Sequence, residues 1–286
     1  MTIREIQKIE YEELRSVWCE VFGDDPVFVD ELYYSLKATG YVCEDEGKLH
    51  SFLTLFSAGT VNGQQVQVSY GICTRPESRG RGYAGALVKH VRDMVVEKGD
   101  ISLICPAEES LVEFYYNLGY MPALFAKNCS VEADDLPLQV KMLDADEYNR
   151  YREKYLECIP HVSFTDEFMR FIKNDSVNAQ GLLLINGGDA ICTISYGTDD
   201  EMGLSELLIN PDLAALSSEI AEQIAGALAN LFEVKTIYFR TPTFIVYTDE
   251  SGDKFSHGSY AQAMIAGCTA ELNVEAMLPY YGFPID

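Results

Sequence analysis

The sequence predicts an α/β (α+β) fold, in which a mixed, mostly antiparallel sheet is flanked by helices and the whole arrangement is duplicated in tandem. Three observations predict it. Apolar spacing in the first half of the 286-residue chain gives the order β-α-α-β-β-β-α-β-α-β. The same order begins again after the linker-like segment Asp134-Asp135-Leu136-Pro137. A shift of 135 places lays Thr74-Arg75-Pro76 onto Ile209-Asn210-Pro211, which favours an internal duplication.

The elements of the first half follow from apolar periodicity and from turn residues. Asp25 followed by Pro26 is typical of a helix start, Asn62-Gly63 of a hairpin turn, and Gly99 of a helix end. The predicted elements are strand 3–9, helices 12–22 and 27–37, strands 41–44, 51–58 and 66–74, helix 82–98, strand 101–105, helix 111–118 and strand 127–131.

The second half repeats this order with less distinct boundaries. The predicted elements are strand 139–143, helices 145–157 and 166–172, strands 182–185, 191–196 and 204–209, a long helix 213–232 and strand 236–239. We therefore expect two domains, covering residues 1–134 and 138–286.

The charge of the chain excludes several partners. Against 45 Asp and Glu there are only 21 Lys and Arg, a formal net charge of −24. Such a field repels phosphate backbones, so we expect no nucleic-acid partner and no anionic membrane. It would attract cationic amines, although a solvated acidic surface explains the same composition. An anionic cofactor would need a local basic loop, and Arg75, Arg79 and Arg81 lie within seven residues of one another.

Cysteine spacing and the first residues indicate a cytoplasmic protein. The eight cysteines form no Cys-x-x-Cys pair, which argues against a zinc site and against a secreted disulfide scaffold. We therefore expect no metal. The segment from Met1 to Glu5 has no apolar signal-peptide core, and no run approaches 18 apolar residues.

Residues 68–87, VSYGICTRPESRGRGYAGAL, carry the strongest functional signal. A predicted strand leads into a loop rich in arginine and glycine, and the loop leads into a helix. Glycines let successive main-chain N–H groups converge, and the helix N-terminus adds a partial positive charge. Arg79 and Arg81 can add charge-assisted hydrogen bonds. We call residues 79–82 the arginine-glycine loop and interpret it as a pyrophosphate site.

Two kinds of nucleotide-binding protein could use such a loop. Gly80, Gly82 and Gly85 satisfy the dinucleotide fingerprint of Rossmann domains, and Glu108 lies at a suitable distance to bind a ribose hydroxyl. In Rossmann domains, however, the glycines directly follow the first strand of a parallel unit. Here a β-meander precedes the loop and residues 75–78 intervene. An NAD-binding Rossmann domain stays open as a minor alternative.

The pattern Arg-x-x-Gly-x-Ala at Arg79, Gly82 and Ala84 resembles motif A of the GNAT superfamily of N-acetyltransferases. A second motif, Phe114-Tyr115-x-x-x-Gly119-Tyr120, is similar to that family's signature after the fifth strand. The resemblance implies an acetyl-CoA-dependent transfer to an amine. The family's pantetheine strand corresponds to Ile72, Cys73 and Thr74, its pyrophosphate loop to Arg79, Gly80, Arg81, Gly82, Tyr83 and Ala84, and a residue that contacts the CoA arm to Ser110.

The same resemblance implies that Tyr115 is the general acid that protonates the leaving thiolate. Packing of the ring against the sheet is the alternative explanation for this tyrosine, and Tyr116 is one position off the motif. A main-chain N–H of Cys73 or Thr74 would polarise the thioester carbonyl. No general base can be identified among the acidic candidates, which are Asp24, Asp25, Glu31 and Glu44, and the four histidines are isolated in the sequence.

Two such domains with an Arg/Gly loop only in the first resemble the enhanced-intracellular-survival (Eis) type of acetyltransferase. Members of that type carry a third, sterol-carrier-like domain, for which this chain of 286 residues is too short. We expect the second domain to bind no CoA, because in its equivalent segment 211–217 Ala214 replaces the arginine and Ser217 the glycine, and Asp212 and Glu219 would repel a pyrophosphate. The acceptor would be the primary amine of a small molecule or peptide, and the protein a possible homo-oligomer. A catalytically silent acyl-CoA sensor or scaffold is the main alternative.

Overall fold

Helices and strands alternate along the computed structural model, which describes residues 1–175, 180–214, 220–242 and 259–267. The helices are α1 (Tyr11–Phe22), α2 (Pro26–Leu36), α3 (Tyr83–Glu97), α4 (Ser110–Asn117), α5 (Ala145–Tyr155), α6 (Asp166–Asn174), α7 (Pro211–Ala214) and α8 (Ile220–Leu231). The strands are β1 (Thr2–Glu5), β2 (Thr39–Asp45), β3 (Lys48–Val61), β4 (Gln64–Thr74), β5 (Ile101–Ile104), β6 (Met121–Glu132), β7 (Val140–Met142), β8 (Ser163–Phe164), β9 (Gly181–Ile185), β10 (Ala190–Gly197), β11 (Glu201–Ile209), β12 (Thr236–Thr241) and β13 (Ser259–Ala266).

Local signals in the sequence correctly predicted several boundaries. The Asp25 carboxylate accepts the Val27 N–H at 2.8 Å and caps α2, with Pro26 as its first residue. Asn62 and Gly63 have φ of 48° and 82°, as a two-residue hairpin turn between β3 and β4 requires.

Other boundaries differ from the prediction. β6 extends from Met121, well before the predicted strand 127–131, because its two ends pair with different strands. The predicted helix 213–232 is represented by α7 and α8, and residues 215–219 lie outside the described residues. β8 and β13 were not predicted from the sequence.

One continuous sheet joins the described strands in the order β1-β2-β3-β4-β5-β13-β6-β12-β11-β10-β9-β7, and β8 pairs with β3. Neighbouring strands are antiparallel except in the pairs β4–β5 and β11–β12. The predicted mixed, mostly antiparallel sheet is therefore confirmed.

These two parallel pairs show the duplication directly. β4 pairs with β5 from Val66 opposite Ile101, and β11 pairs with β12 from Glu201 opposite Thr236. Each residue of the second pair lies 135 places after its counterpart in the first. The predicted internal repeat, with its shift of 135, therefore reproduces the strand register as well as the order of elements.

The two halves exchange strands. β13 comes from the second half but lies between β5 and β6 of the first, antiparallel to both. In return, the C-terminal end of β6 pairs with β12 of the second half, with Glu132 opposite Thr236. Each half thus completes the sheet of the other.

Helices cover both faces of the sheet. α3 and α4 cover one face of the first half, where their apolar residues form a core with β2, β3 and β5. On the opposite face, α1, α2, α5 and α6 share a single core that runs across both halves. The rings of Phe28 and Phe171 lie 6.2 Å apart at this contact, and those of Phe56 and Phe168 lie 6.1 Å apart. Among the described residues, no helix has the length and apolar character needed to cross a bilayer.

Candidate active site

The end of β4 separates from β5 and leaves an open strand edge. Their parallel pairing ends at Ser69 opposite Ile104, whereas β4 continues to Thr74 with β3 on its other side. Within the described residues, no strand pairs with the side of β4 that β5 has left. An extended ligand could add to this edge through main-chain hydrogen bonds. Ile72, Cys73 and Thr74, the predicted pantetheine strand, lie on this segment.

A β-bulge at Gly71 shapes this edge. The register between β3 and β4 shifts between Phe52 and Thr54, and Gly71 has φ of 57°. A Cβ at this position would lie 2.2 Å from Cζ3 of Trp18. The left-handed backbone and the close approach of the indole both require glycine. Sequence analysis missed this residue, although a single glycine inside a strand pattern is typical of a bulge.

The arginine-glycine loop lies between this edge and α3. Gly80 and Gly82 have φ of 74° and 82°, and a Cβ at either position would meet nothing within 4 Å. Their left-handed conformation, not a lack of space, therefore favours glycine. Within the described residues, no main-chain carbonyl accepts the N–H groups of residues 80–85. These donors and the N-terminus of α3 together form a site suited to a phosphate group.

Arginines beside the loop have different roles. Arg79 and Arg81 are exposed, and among the described residues neither forms an ion pair with a carboxylate. Arg79 Nε lies 3.4 Å from the Thr74 carbonyl oxygen, next to the open edge. Arg75, in contrast, donates to Glu13 at 2.5 Å and to the Leu49 carbonyl at 2.9 Å. Arg75 therefore stabilises the fold, and the other two arginines are available to bind an anion.

Tyr83, predicted to bind the cofactor, has a buried side chain. Its hydroxyl donates to the Asp45 carboxylate at 3.0 Å, and its ring stacks on His50. The Arg81 guanidinium carbon of the loop lies over the same ring, 5.0 Å from its centroid, and the main chain of Tyr83 provides a first-turn N–H donor. His50 is thus a contact of the loop that sequence analysis missed, because nothing near position 50 in the chain marks it.

Tyr115 lies on α4 in the same apolar cluster as Ile72 of the open edge. It is 6 % exposed, whereas its neighbour Tyr116 is 60 % exposed. Burial, followed by the nearby Tyr120 and Cys105, raises the pKa of Tyr115 to about 12. Within the described residues its hydroxyl makes no hydrogen bond.

Ser110 is the exposed first residue of α4. Its hydroxyl donates to the Glu108 carboxylate at 2.7 Å. The structure thus places Ser110 at the start of the helix that carries Tyr115, as predicted, but with its hydroxyl directed to an acidic neighbour.

The acidic candidates for a general base mostly have structural partners. Asp24 accepts the indole N–H of Trp18 at 2.6 Å, and Asp25 caps α2. Glu44 forms an ion pair with Arg4 at 2.7 Å. Glu31 lies half-buried on α2. No base can be assigned from these contacts.

In the second half, the position equivalent to Gly71 under the shift of 135 is occupied by Glu206. Its carboxylate forms an ion pair with Arg152 at 3.1 Å and accepts the Tyr148 hydroxyl at 2.9 Å, all three side chains being buried. The second half also has a register shift beside Glu206, but a charged pair lies there where the first half has a glycine packed on an indole.

Comparisons with known proteins agree with this geometry. The profile of the Acetyltransf_9 family, described as an acetyltransferase (GNAT) domain, matches residues 2–123. No curated protein sequence matches the chain.

Solved structures share the fold over almost the whole chain. A GCN5-related N-acetyltransferase from Anabaena variabilis has 15 % identity and a TM-score of 0.68, over 92 % of this chain and 72 % of that one. Eis1 from Mycobacterium abscessus has 17 % identity and a TM-score of 0.59, over 93 % of this chain and 73 % of that one. A tandem GNAT protein from the clavulanic acid biosynthesis pathway has 11 % identity and a TM-score of 0.55, over 94 % and 99 %. Residues 2–123 therefore match a GNAT acetyltransferase domain, and the whole chain shares the fold of tandem GNAT proteins.

Proposed function

We propose that this protein is an N-acetyltransferase that moves the acetyl group of acetyl-CoA to a primary amine of a small molecule or peptide. The observation that carries the proposal is the position of the arginine-glycine loop. It lies at the N-terminus of α3, directly after the open edge of β4. A strand edge for the pantetheine amides thus continues into N–H donors for the diphosphate and into two arginines that form no ion pair with any described residue.

The residues present fit this cofactor. Ile72, Cys73 and Thr74 would hold the pantetheine arm through their main chain. Residues 79–84 would hold the diphosphate, and Ser110 would contact the arm from α4. The open space over Gly80 and Gly82 leaves room for phosphate oxygens to approach the backbone. Bound acetyl-CoA supplies the activated acyl group.

The protein is assigned two tasks in the transfer. Attack of a neutral amine on the thioester forms the amide C–N bond and breaks the C–S bond, which requires stabilisation of the carbonyl oxygen, a proton for the departing sulfur, and loss of a proton from the nitrogen to solvent. We assign the first task to a main-chain N–H of Cys73 or Thr74 and the second to Tyr115. The raised pKa of Tyr115 supports this assignment because the phenol stays protonated throughout the physiological range.

We assign the CoA site to residues 1–134 and no CoA site to residues 138–286. Support comes from Ala214 in α7, which lies 135 places after Arg79 and brings no positive charge to the equivalent position. The seven described cysteines are free thiols, which supports a reducing compartment such as the cytoplasm.

Titration calorimetry and a thiol-release assay test the proposal. We expect one CoA per chain, no binding of NAD, and release of free CoA from acetyl-CoA in the presence of a panel of polyamines, aminoglycosides and peptides. Two CoA sites per chain would contradict the assignment of the second domain. Binding without thiol release from any member of the panel would favour an acyl-CoA sensor.

A further inference from the structure

His50 contacts residues on both sides of the arginine-glycine loop. It lies on β3 and is 7 % exposed. Its ring stacks on that of Tyr83, with 4.3 Å between the ring centroids and 6° between the planes. Tyr83 is the first residue of α3, immediately after the loop.

The polar atoms of the same ring reach the other end of the loop. Nδ1 lies 2.8 Å from Oγ of Ser78, the residue immediately before the loop, and Nε2 lies 3.2 Å from the Asp45 carbonyl oxygen. Because a carbonyl oxygen only accepts, Nε2 carries a hydrogen. In the neutral ring Nδ1 then accepts from the Ser78 hydroxyl.

Asp45 completes a closed set of contacts. While its carbonyl oxygen accepts from His50, its carboxylate accepts the Tyr83 hydroxyl at 3.0 Å. Both ends of the four-residue loop are therefore connected to the turn between β2 and β3 through four residues, Ser78, His50, Tyr83 and Asp45. The loop itself is exposed, and its two glycines give it no steric restraint.

We propose that His50 is a positioning residue for the arginine-glycine loop. It sets the distance between Ser78 and Tyr83, and so orders the N–H groups that bind the CoA diphosphate before the cofactor arrives. This inference rests on the proposed function, because it concerns the same cofactor site. Its physical basis is preorganisation, since a loop that is already ordered loses less conformational entropy when it binds.

The variant His50→Phe tests the proposal because it keeps a flat ring against Tyr83 and removes both hydrogen bonds. We expect the Kd for CoA, measured by calorimetry, to rise about tenfold, as loss of roughly 1.4 kcal/mol of ordering would give. The KM for acetyl-CoA should rise by a similar factor. The kcat/KM for S-acetylpantetheine, which lacks the diphosphate, should stay unchanged because it makes no contact with the loop.

A packing defect would give a different result. It would weaken catalysis with acetyl-CoA and with S-acetylpantetheine equally, and that outcome would overturn the proposal. His50→Asn retains a polar group near the position of Nδ1, so it should recover part of the CoA affinity. His90→Phe is the matched control, since His90 is exposed on α3, and its Kd for CoA should equal that of the unmodified protein.

Different results would contradict the proposed function and the positioning role of His50. If the unmodified protein does not bind CoA, the proposed function is wrong. If it binds CoA and His50→Phe binds equally well, only the positioning role is wrong. Should His50→Phe not fold, Ser78→Ala removes the hydroxyl that bonds Nδ1, and the same contrast between the two acetyl donors applies.

Discussion

Two neighbouring tyrosines of α4 show how one step along a helix changes the chemistry of a side chain. Tyr115 is buried in the apolar cluster against which Ile72 of the open β4 edge packs, and Tyr116 faces solvent. The motif predicts the first of these from the sequence, and in the structure its hydroxyl has a raised pKa and no hydrogen bond to any described residue. Acid catalysis by Tyr115 remains a prediction that kinetics can test.

Replacing Tyr115 by phenylalanine should lower turnover by roughly 10²–10⁴-fold, because a positioned proton donor contributes about that much. The affinity for CoA should barely change, since the ring remains and the phosphates bind elsewhere. Steady-state kinetics and calorimetry measure the two effects separately. Tyr116→Phe is the control and should keep full turnover, and full turnover by Tyr115→Phe would rule out the assignment.

Reversing the charge of Arg79 should affect binding before turnover. In Arg79→Glu a carboxylate replaces a cation next to the Thr74 carbonyl and the diphosphate site, so the KM for acetyl-CoA should rise by at least tenfold. The kcat at saturation should change less. Lys154→Glu makes the same charge change on the exposed side of α5 and should leave the KM unaltered. An equal rise in both variants would indicate a general effect of the net charge.

Among the elements, the β4 edge and the loop require glycine for different reasons. Gly71 has both a left-handed backbone and the indole of Trp18 against its Cα, whereas Gly82 has the left-handed backbone alone. Alanine substitutions at the two positions can therefore separate the effect of steric crowding on stability from the effect of the left-handed backbone.

We expect Gly82→Ala to lower the free energy of unfolding by about 1–2 kcal/mol, the cost of a left-handed residue with a Cβ. Gly71→Ala should cost about 1–3 kcal/mol more, because the indole must move. Urea unfolding measures both. Gly63→Ala is the matched control, since Gly63 has the same φ of 82° in open space. It should lose as much stability as Gly82→Ala while binding CoA normally, and equal losses at Gly71 and Gly82 would contradict the role of the indole.

For the whole molecule, the strand exchange makes each half depend on the other. Without β13, a gap of two strand spacings, roughly 10 Å, would separate β5 from β6. The buried Ala263, Met264 and Ile265 would also be missing from the first half.

Residues 1–134 produced alone should therefore show no cooperative thermal unfolding. Co-production with residues 138–286 should restore a folded complex, because that fragment carries β13. A shorter partner, residues 138–242, lacks β13 and should not restore it. Circular dichroism melting curves test all three. Cooperative melting of the isolated 1–134 fragment would show that β13 is dispensable.

Alkaline pH should also destabilise the whole protein. Burial raises the pKa of Cys73 and Cys192 to about 12 from 9, and that of Tyr115 and Tyr155 to about 12 from 10. The folded state keeps these protons after the unfolded state has lost them. The resulting stability is complete below pH 9 and is lost as the pH rises towards 12.

We expect the urea midpoint to be constant near neutrality and to fall progressively above pH 9. Cys192→Ala should reduce the dependence of the unfolding free energy on pH by the equivalent of about one proton, because it removes one buried titrating group. A midpoint independent of pH between 9 and 11 would contradict the burial of these groups.

Three features could be predicted from the sequence alone: the order of elements, the duplication with its shift of 135, and the position of the arginine-glycine loop. These depend on local causes: apolar periodicity, a capping residue before Pro26, and glycines where the backbone turns left-handed. The same local signals carried the resemblance to the GNAT superfamily, and an acetyltransferase (GNAT) domain model matches residues 2–123.

Contacts between residues that are distant in the chain are seen only in the folded structure. The indole of Trp18 leaves no room for a Cβ at position 71. His50 contacts the residues at both ends of the loop, although it lies nearly thirty residues before it. β13 enters the sheet of the first half across more than a hundred residues of chain. Such contacts depend on how strands pair and how faces pack. A glycine inside a strand pattern, such as Gly71, indicates a bulge, but the sequence does not show its contact with Trp18 or the contacts of His50, because each partner is distant in the chain.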